Sequence, residues 1–294
     1  MNRLLAIISP LIVLLIATFC ASLLAYTITL IFGDSVSFRT FFKRSSQLFL
    51  VISIFPLMRF LKLSKLELGF APKTEFFKQF LTGLGIGFIT LLPVLMLIFL
   101  LDVHLVDESK PWTVGWVSKK VSVEFLLALL ISFVEEPIFR GALLTGLSRQ
   151  FSSTTAIVLS AFYYAALHFV NSNIEIPSHD VEFYSGFILL GDALVQWFNA
   201  DYISPFFSLF AVGIFLGVFK THNPAGLGLC IGCHTGWVWQ IKLSKHFFNI
   251  NTQSDFIYLV SSYDGVIGPM VTVWLSFAIL AYIFWYRRSA NTVQ

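Results

Sequence analysis

VEFLLALLISFVEEPIFRGALLTGL, residues 123–147, is apolar over the length of a helix and yet holds Glu135, Glu136 and Arg140 near its middle. The run before these residues, 123–134, contains one charge, Glu124, and the run after them, 142–147, contains none. At bilayer depth a charged side chain costs about 2.5–3.5 kcal/mol by insertion scales, so such residues face an interior cavity and mark function. On a helix, residues four apart share a face, so Glu136 and Arg140 stack with the acid N-terminal, the better order for an ion pair. Glu135 points about 100° away and is the free carboxylate of the three. Pro137 removes one backbone hydrogen bond, so a kink is expected at the acids.

Composition sets the class. The chain has 294 residues, 57% hydrophobic and 12% charged, with a mean hydropathy of +0.82. Soluble domains carry roughly 25% charged residues, so this is an all-α, polytopic membrane helical bundle whose partner is the lipid bilayer. Barrel strands would alternate apolar and polar residues; here the apolar runs are continuous. The net charge of +3 is scattered without a basic stripe, which excludes nucleic acid as a partner. Three cysteines, Cys20, Cys230 and Cys233, give no disulfide framework.

About eight segments approach the ~20-residue spanning length: 4–32, 46–62, 80–101, 121–147, 153–170, 205–219, 224–243 and 266–286. The apolar start is much longer than a signal-peptide core, so it reads as a retained span after Met1-Asn2-Arg3. The stretch 185–198 is short and either spans or lies at the interface. With eight spans, Arg3, Arg149, Arg287 and Arg288 share one side with the loop holding Lys65 and Lys73, which places both termini in the cytoplasm. Arg39, Lys43 and Arg44 fall on the other side, against that rule. No linker or repeat divides the chain, so residues 1–294 form a single domain with the polar chemistry gathered in 121–243.

Six histidines occur, and only His168 and His234 lie well inside apolar spans; His104, His179, His222 and His246 read as solvated. His168 shares a helix face with Tyr164, four residues earlier. The run Cys230-Ile231-Gly232-Cys233-His234 matches the haem-attachment pattern, but it lies within the expected span 224–243, where the macrocycle has no room. Buried thiols in apolar surroundings are inert, which also disfavours a redox pair.

A free carboxylate, two imidazoles and a bound arginine on three helices suit several chemistries. They equip a hydrolase, in which carboxylate and His activate water and a further donor stabilises the oxyanion. If metal-dependent, Glu135, His168 and His234 would hold a divalent ion such as Zn, although no H-E-x-x-H helix favours it. A proton-coupled carrier uses similar groups, and a non-catalytic scaffold or immunity protein would use them only for packing.

The order Glu-Glu-x-x-x-Arg, aromatic-x-x-x-His and a third His after a Phe/Leu/Gly-rich span resembles the CPBP intramembrane proteases. These include CAAX prenyl endopeptidases and lysostaphin-resistance-type bacterial members. The resemblance covers roughly 121–243 and implies an eight-helix intramembrane endopeptidase acting on a peptide or membrane-protein substrate near the membrane surface, with no cofactor required. It implies the bacterial cytoplasmic (inner) membrane as location. Residue by residue, Glu135 and His168 correspond to the pair that activates water, and His234 to the His that helps stabilise the oxyanion. Glu136, Arg140 and Tyr164 correspond to supporting positions. Tyr164 replaces the usual Phe, and Val238 stands where the family often has Asn, which removes one side-chain donor.

Overall fold

Helices account for most of the computed structural model, which describes residues 3–291; Met1 and Asn2, ahead of the first span, lie outside the described residues. The long apolar start is one rod, α1 (Arg3–Phe32). The segment expected at 46–62 is a longer pair, α2 (Phe38–Ile52) and α3 (Ile54–Leu61). A short α4 (Lys65–Leu68) follows, its first turn closed reciprocally by Ser64 and Glu67, then α5 (Lys73–Leu100) and strand β1 (His104–Val106). Next comes a rod in three parts: α6 (Val114–Glu136), a π-helical stretch (Pro137–Leu143) and α7 (Leu144–Ser148). The chain continues with α8 (Ser153–His168), α9 (Ser185–Val195), α10 (Ile203–His222) and α11 (Leu227–Phe247). Strand β2 (Phe248–Ile250) and α12 (Pro269–Asn291) complete it.

The protein is an all-α membrane protein, though the helix rods are unequal in apolarity. Among the described residues five helical segments are long and apolar enough to cross a bilayer: Arg3–Ser35, Phe38–Leu61, Lys73–Leu100, Ala200–His222 and Pro269–Arg288. The expected spans at 121–147, 153–170 and 224–243 are helical but less apolar or shorter. α6 carries Glu124, Glu135 and Glu136, α8 has 16 residues, and α11 carries His234, Gln240 and Lys242. The most polar rods are therefore those that bear the unusual side chains. The stretch 185–198 forms a short apolar helix, about 21 Å long at 1.5 Å per residue and too short to cross a ~30 Å hydrocarbon layer. Leu30, Phe55, Ile89, Leu100, Phe277 and Phe284 are exposed, as expected of surfaces that face lipid.

α5 and α11 pack with their backbones in contact because glycines line both. A Cβ at Gly83 would lie 2.1 Å from the Leu229 carbonyl, and one at Gly232 would lie 2.0 Å from that of Phe80. The pair is tied further by Trp237 Nε1 donating to Thr90 Oγ1 (2.8 Å) and Gln240 donating to the Gly87 carbonyl (3.1 Å).

The start of α1 and the C-terminal half of α12 lie at one end of the bundle. The Arg3 guanidinium sits over the Phe151 ring, and Ala6 shares a cluster with Leu144, Leu147 and Ile283. Arg149 is at this end too, bonded to Glu67 at 2.7 Å. At the other end, the basic residues that break the charge rule are engaged: Arg39 pairs with Glu175 at 2.6 Å and Lys43 bonds Asn171 at 2.8 Å.

Three of the four histidines expected to be solvated are not. His104 is buried, its Nε2 bonded to the Gly265 carbonyl (2.8 Å) and its Nδ1 to Ser244 Oγ (3.1 Å). Strand pairing of β1 with β2 in antiparallel register draws it inward, a contact between distant segments that a local reading misses. His246 bonds Glu124 at 2.8 Å, and His222 stacks on Tyr286. His179 is exposed.

Candidate active site

The site forms where α8 and α11 each run antiparallel to the α6 rod around its π-helical stretch. At its C-terminal end the Leu144 amide donates to the Phe139 carbonyl, five residues back, as a π turn requires. That carbonyl also accepts from Ser160 Oγ of α8 at 3.2 Å. Ser160, Tyr164 and His168 recur every four residues, so one face of α8 meets the interrupted helix along its length. π stretches recur at functional sites because the extra residue per turn re-aims the side chains around it.

Glu136 and Arg140 are 0% and 1% exposed, with Arg140 Nε 3.3 Å from Glu136 Oε2. The Glu135 and His168 side chains retain 26% and 20% exposure, so the second acid is the fully enclosed partner and the first is part-buried, with its Oε2 turned inward. Glu136 Oε1 also accepts from His234 Nδ1 at 2.8 Å. A carboxylate can only accept, so Nδ1 carries the proton and Nε2 is the atom that turns toward Glu135. The guanidinium of Arg140 lies 4.2 Å from the centre of the Tyr164 ring. Tyr164 thus meets the cation with its ring face, an interaction that a Phe would supply as well.

Glu135 Oε2 stands 3.7 Å from His168 Nε2 and 4.0 Å from His234 Nε2, with no direct hydrogen bond in the protein. His168 Nδ1 lies 2.6 Å from the Tyr164 carbonyl. A carbonyl only accepts, so Nδ1 is the N–H and the neutral ring presents a lone pair at Nε2. An acid oxygen and a basic nitrogen at this separation are each within hydrogen-bond reach of one water molecule between them.

Metal binding can be tested against the same atoms. A tetrahedral zinc ion with ligands at about 2.1 Å sets its donors about 3.4 Å apart. Both separations from Glu135 exceed that. Among the described residues no group of three or more His, Cys, Asp or Glu is placed to hold a metal ion. The donors as they stand do not fit zinc.

Sequence reasoning singled out all six of these residues but missed two neighbours. An apolar cavity of about 250 Å³ between α8 and α10, lined by Phe162, Ala166, Phe169, Trp197, Phe206 and Phe207, adjoins His168 along the chain. Tyr263, in the loop before α12, packs its ring on Phe169 at 5.3 Å. Burial, then the nearby Asp264 and Glu135 carboxylates, push its hydroxyl up to about 12. No motif marks either; the Phe-rich run 205–210 was the only available signal. Val238 is half-buried on α11, one turn beyond His234, and Cys230 and Cys233 are fully buried in that helix.

Residues 118–240 match the protein-family model described as Rce1-like, type II CAAX prenyl endopeptidase. The match runs from α6 into α11 and includes Glu135, Glu136, Arg140, Tyr164, His168 and His234. No curated protein and no solved structure matches the chain.

Proposed function

We propose that this chain, which carries a type II CAAX prenyl endopeptidase domain of the Rce1-like family over residues 118–240, hydrolyses a peptide bond with water activated by Glu135 and His168. The observation that carries this reading is the 3.7 Å gap between Glu135 Oε2 and His168 Nε2. Both atoms are acceptors, so a water lying between them would donate to each. As that water attacks the scissile carbonyl, Glu135 takes its proton and later passes it to the leaving amine. Negative charge then develops on the carbonyl oxygen. His234, held through Nδ1 by the Glu136 carboxylate, turns Nε2 toward that oxygen and donates to it when Nε2 carries a proton. Arg140 and the Tyr164 ring hold Glu136 in place, a positioning role. No step requires a metal.

The aromatic cavity beside His168 suits an apolar substrate segment, so the substrate class is a membrane-inserted or lipid-bearing peptide. Arg149 and the other basic residues at the end shared by the first and last helices favour a cytoplasmic position for that end, and we read residues 1–294 as one domain.

Membrane-peptide proteomics of cells carrying the wild type or Glu135→Gln tests the reading. New peptide termini should appear only with the wild type, while both proteins insert equally. Chelator should leave the wild-type pattern intact. Identical termini in the two strains would exclude hydrolysis and favour a scaffold. Proton-driven uptake by liposomes without any cleavage would favour a carrier.

A further inference from the structure

A second, polar cavity of about 370 Å³ opens at the C-terminal end of α11, lined among others by His104, Ser244, Lys245, Asn249, Tyr263 and Asp264. Its wall is shared with the catalytic region through Tyr263, whose ring rests on Phe169, the residue after His168. Along α11, His234, Val238, Ile241 and Lys245 recur at spacings of four, three and four residues, so they form one stripe. The stripe begins at a candidate catalytic imidazole, crosses two half-buried aliphatic side chains and ends at an exposed ammonium. It measures about 16 Å along the axis, the length of about five residues of extended peptide.

The charges around the cavity leave Lys245 available. Asp264 faces it from beyond ion-pair distance and acts on Lys245 only through space, its Oδ1 accepting from the Val266 and Ile267 amides at 2.9 and 2.7 Å. His104 is committed to Gly265 and Ser244. Lys242 and His246, next to Lys245 in sequence, are turned to Glu124 at 3.4 and 2.8 Å. Among the described residues no carboxylate lies within 4.0 Å of the Lys245 ammonium.

We infer that this cavity is a substrate subsite in which Lys245 receives a carboxylate about five residues from the scissile bond, with Val238 and Ile241 as the apolar floor between. The inference rests on the peptidase reading and adds to it a specificity-determining residue. Two sources supply that carboxylate, an Asp or Glu side chain or the C-terminal end of the substrate.

The test is binding, so it does not depend on turnover. Protein carrying Glu135→Gln is placed in phosphatidylcholine nanodiscs with lipid-anchored, fluorescent decapeptides. These end in a free carboxylate, a C-terminal amide, or an amide with one internal Glu. At least one carboxylate-bearing peptide should bind about fivefold tighter than the plain amide, the range of an exposed ion pair. Its identity names the source. Adding Lys245→Gln should remove the difference, and Lys245→Glu should shift preference to a Lys-bearing peptide. Equal affinities, no binding by any peptide, or a preference that survives Lys245→Gln would overturn the subsite. So would an effect of Lys245→Gln seen only in phosphatidylglycerol nanodiscs, which would mark a lipid contact. The peptidase reading fails separately, through unchanged proteomes in the Glu135→Gln strain.

Discussion

Glu136, fully enclosed, holds two partners at once, the Arg140 guanidinium at 3.3 Å and the His234 imidazole at 2.8 Å. Removing one member of a buried pair strands the other and costs about 3–5 kcal/mol. Glu136→Gln should therefore lower stability by that order in thermal unfolding in detergent, and should lower activity through the lost hold on His234. Glu136→Leu combined with Arg140→Met should recover most of the stability but none of the activity, which separates packing from positioning. Tyr164 gives a sharper test of what its ring does. With Arg140 over the ring face at 4.2 Å, Tyr164→Phe should keep cleavage within about threefold and Tyr164→Leu should lose at least tenfold. A cleavage assay in which Phe fails as badly as Leu would assign the work to the hydroxyl. At this scale the sequence was informative: the spacing of Glu136 and Arg140 is a statement about one helix, and it left Glu135 as the free acid. The partner of His234 was not legible, because Glu136 and His234 lie 98 residues apart.

The elements that hold these residues owe their geometry to small departures from regular helix. Pro137 signalled an irregularity at the acids, which takes the form of a π stretch anchored by Ser160. On the far side, α11 presents His234 from a backbone pressed against α5, with no room for a Cβ at Gly232. Gly232→Leu should push the two helices apart, move His234 from Glu136, and lower both thermal stability and activity. Gly115, with open space around its Cβ position, should tolerate Ala in the same assays with little change. Gly228, Gly232 and Gly236 recur every four residues on α11, the spacing that lets a neighbouring helix approach closely. The burial of His104 was not readable from the sequence, because it follows from the pairing of β1 with a strand more than 140 residues away.

For the whole molecule, continuous apolar runs, the direct signature of lipid exposure, marked eight segments, of which five are helices long and apolar enough to cross a bilayer among the described residues. Hydropathy was least informative where function is densest. α6 and α11 carry the acids and His234, side chains that lower the very apolarity by which spans are found, and α8, which carries His168, has only 16 residues. The central claim, that Glu135 and His168 act together on one water, has a kinetic signature. Groups that work as a unit are non-additive when removed. The most direct measurement is the cleavage rate of a proteomically identified substrate in proteoliposomes, for wild type, Glu135→Gln, His168→Ala and the double variant. We expect each single change to cost about 10²–10⁴-fold and the double variant to be no worse than the poorer single one. Substantial activity in either single variant, or losses that multiply in the double, would contradict a shared water.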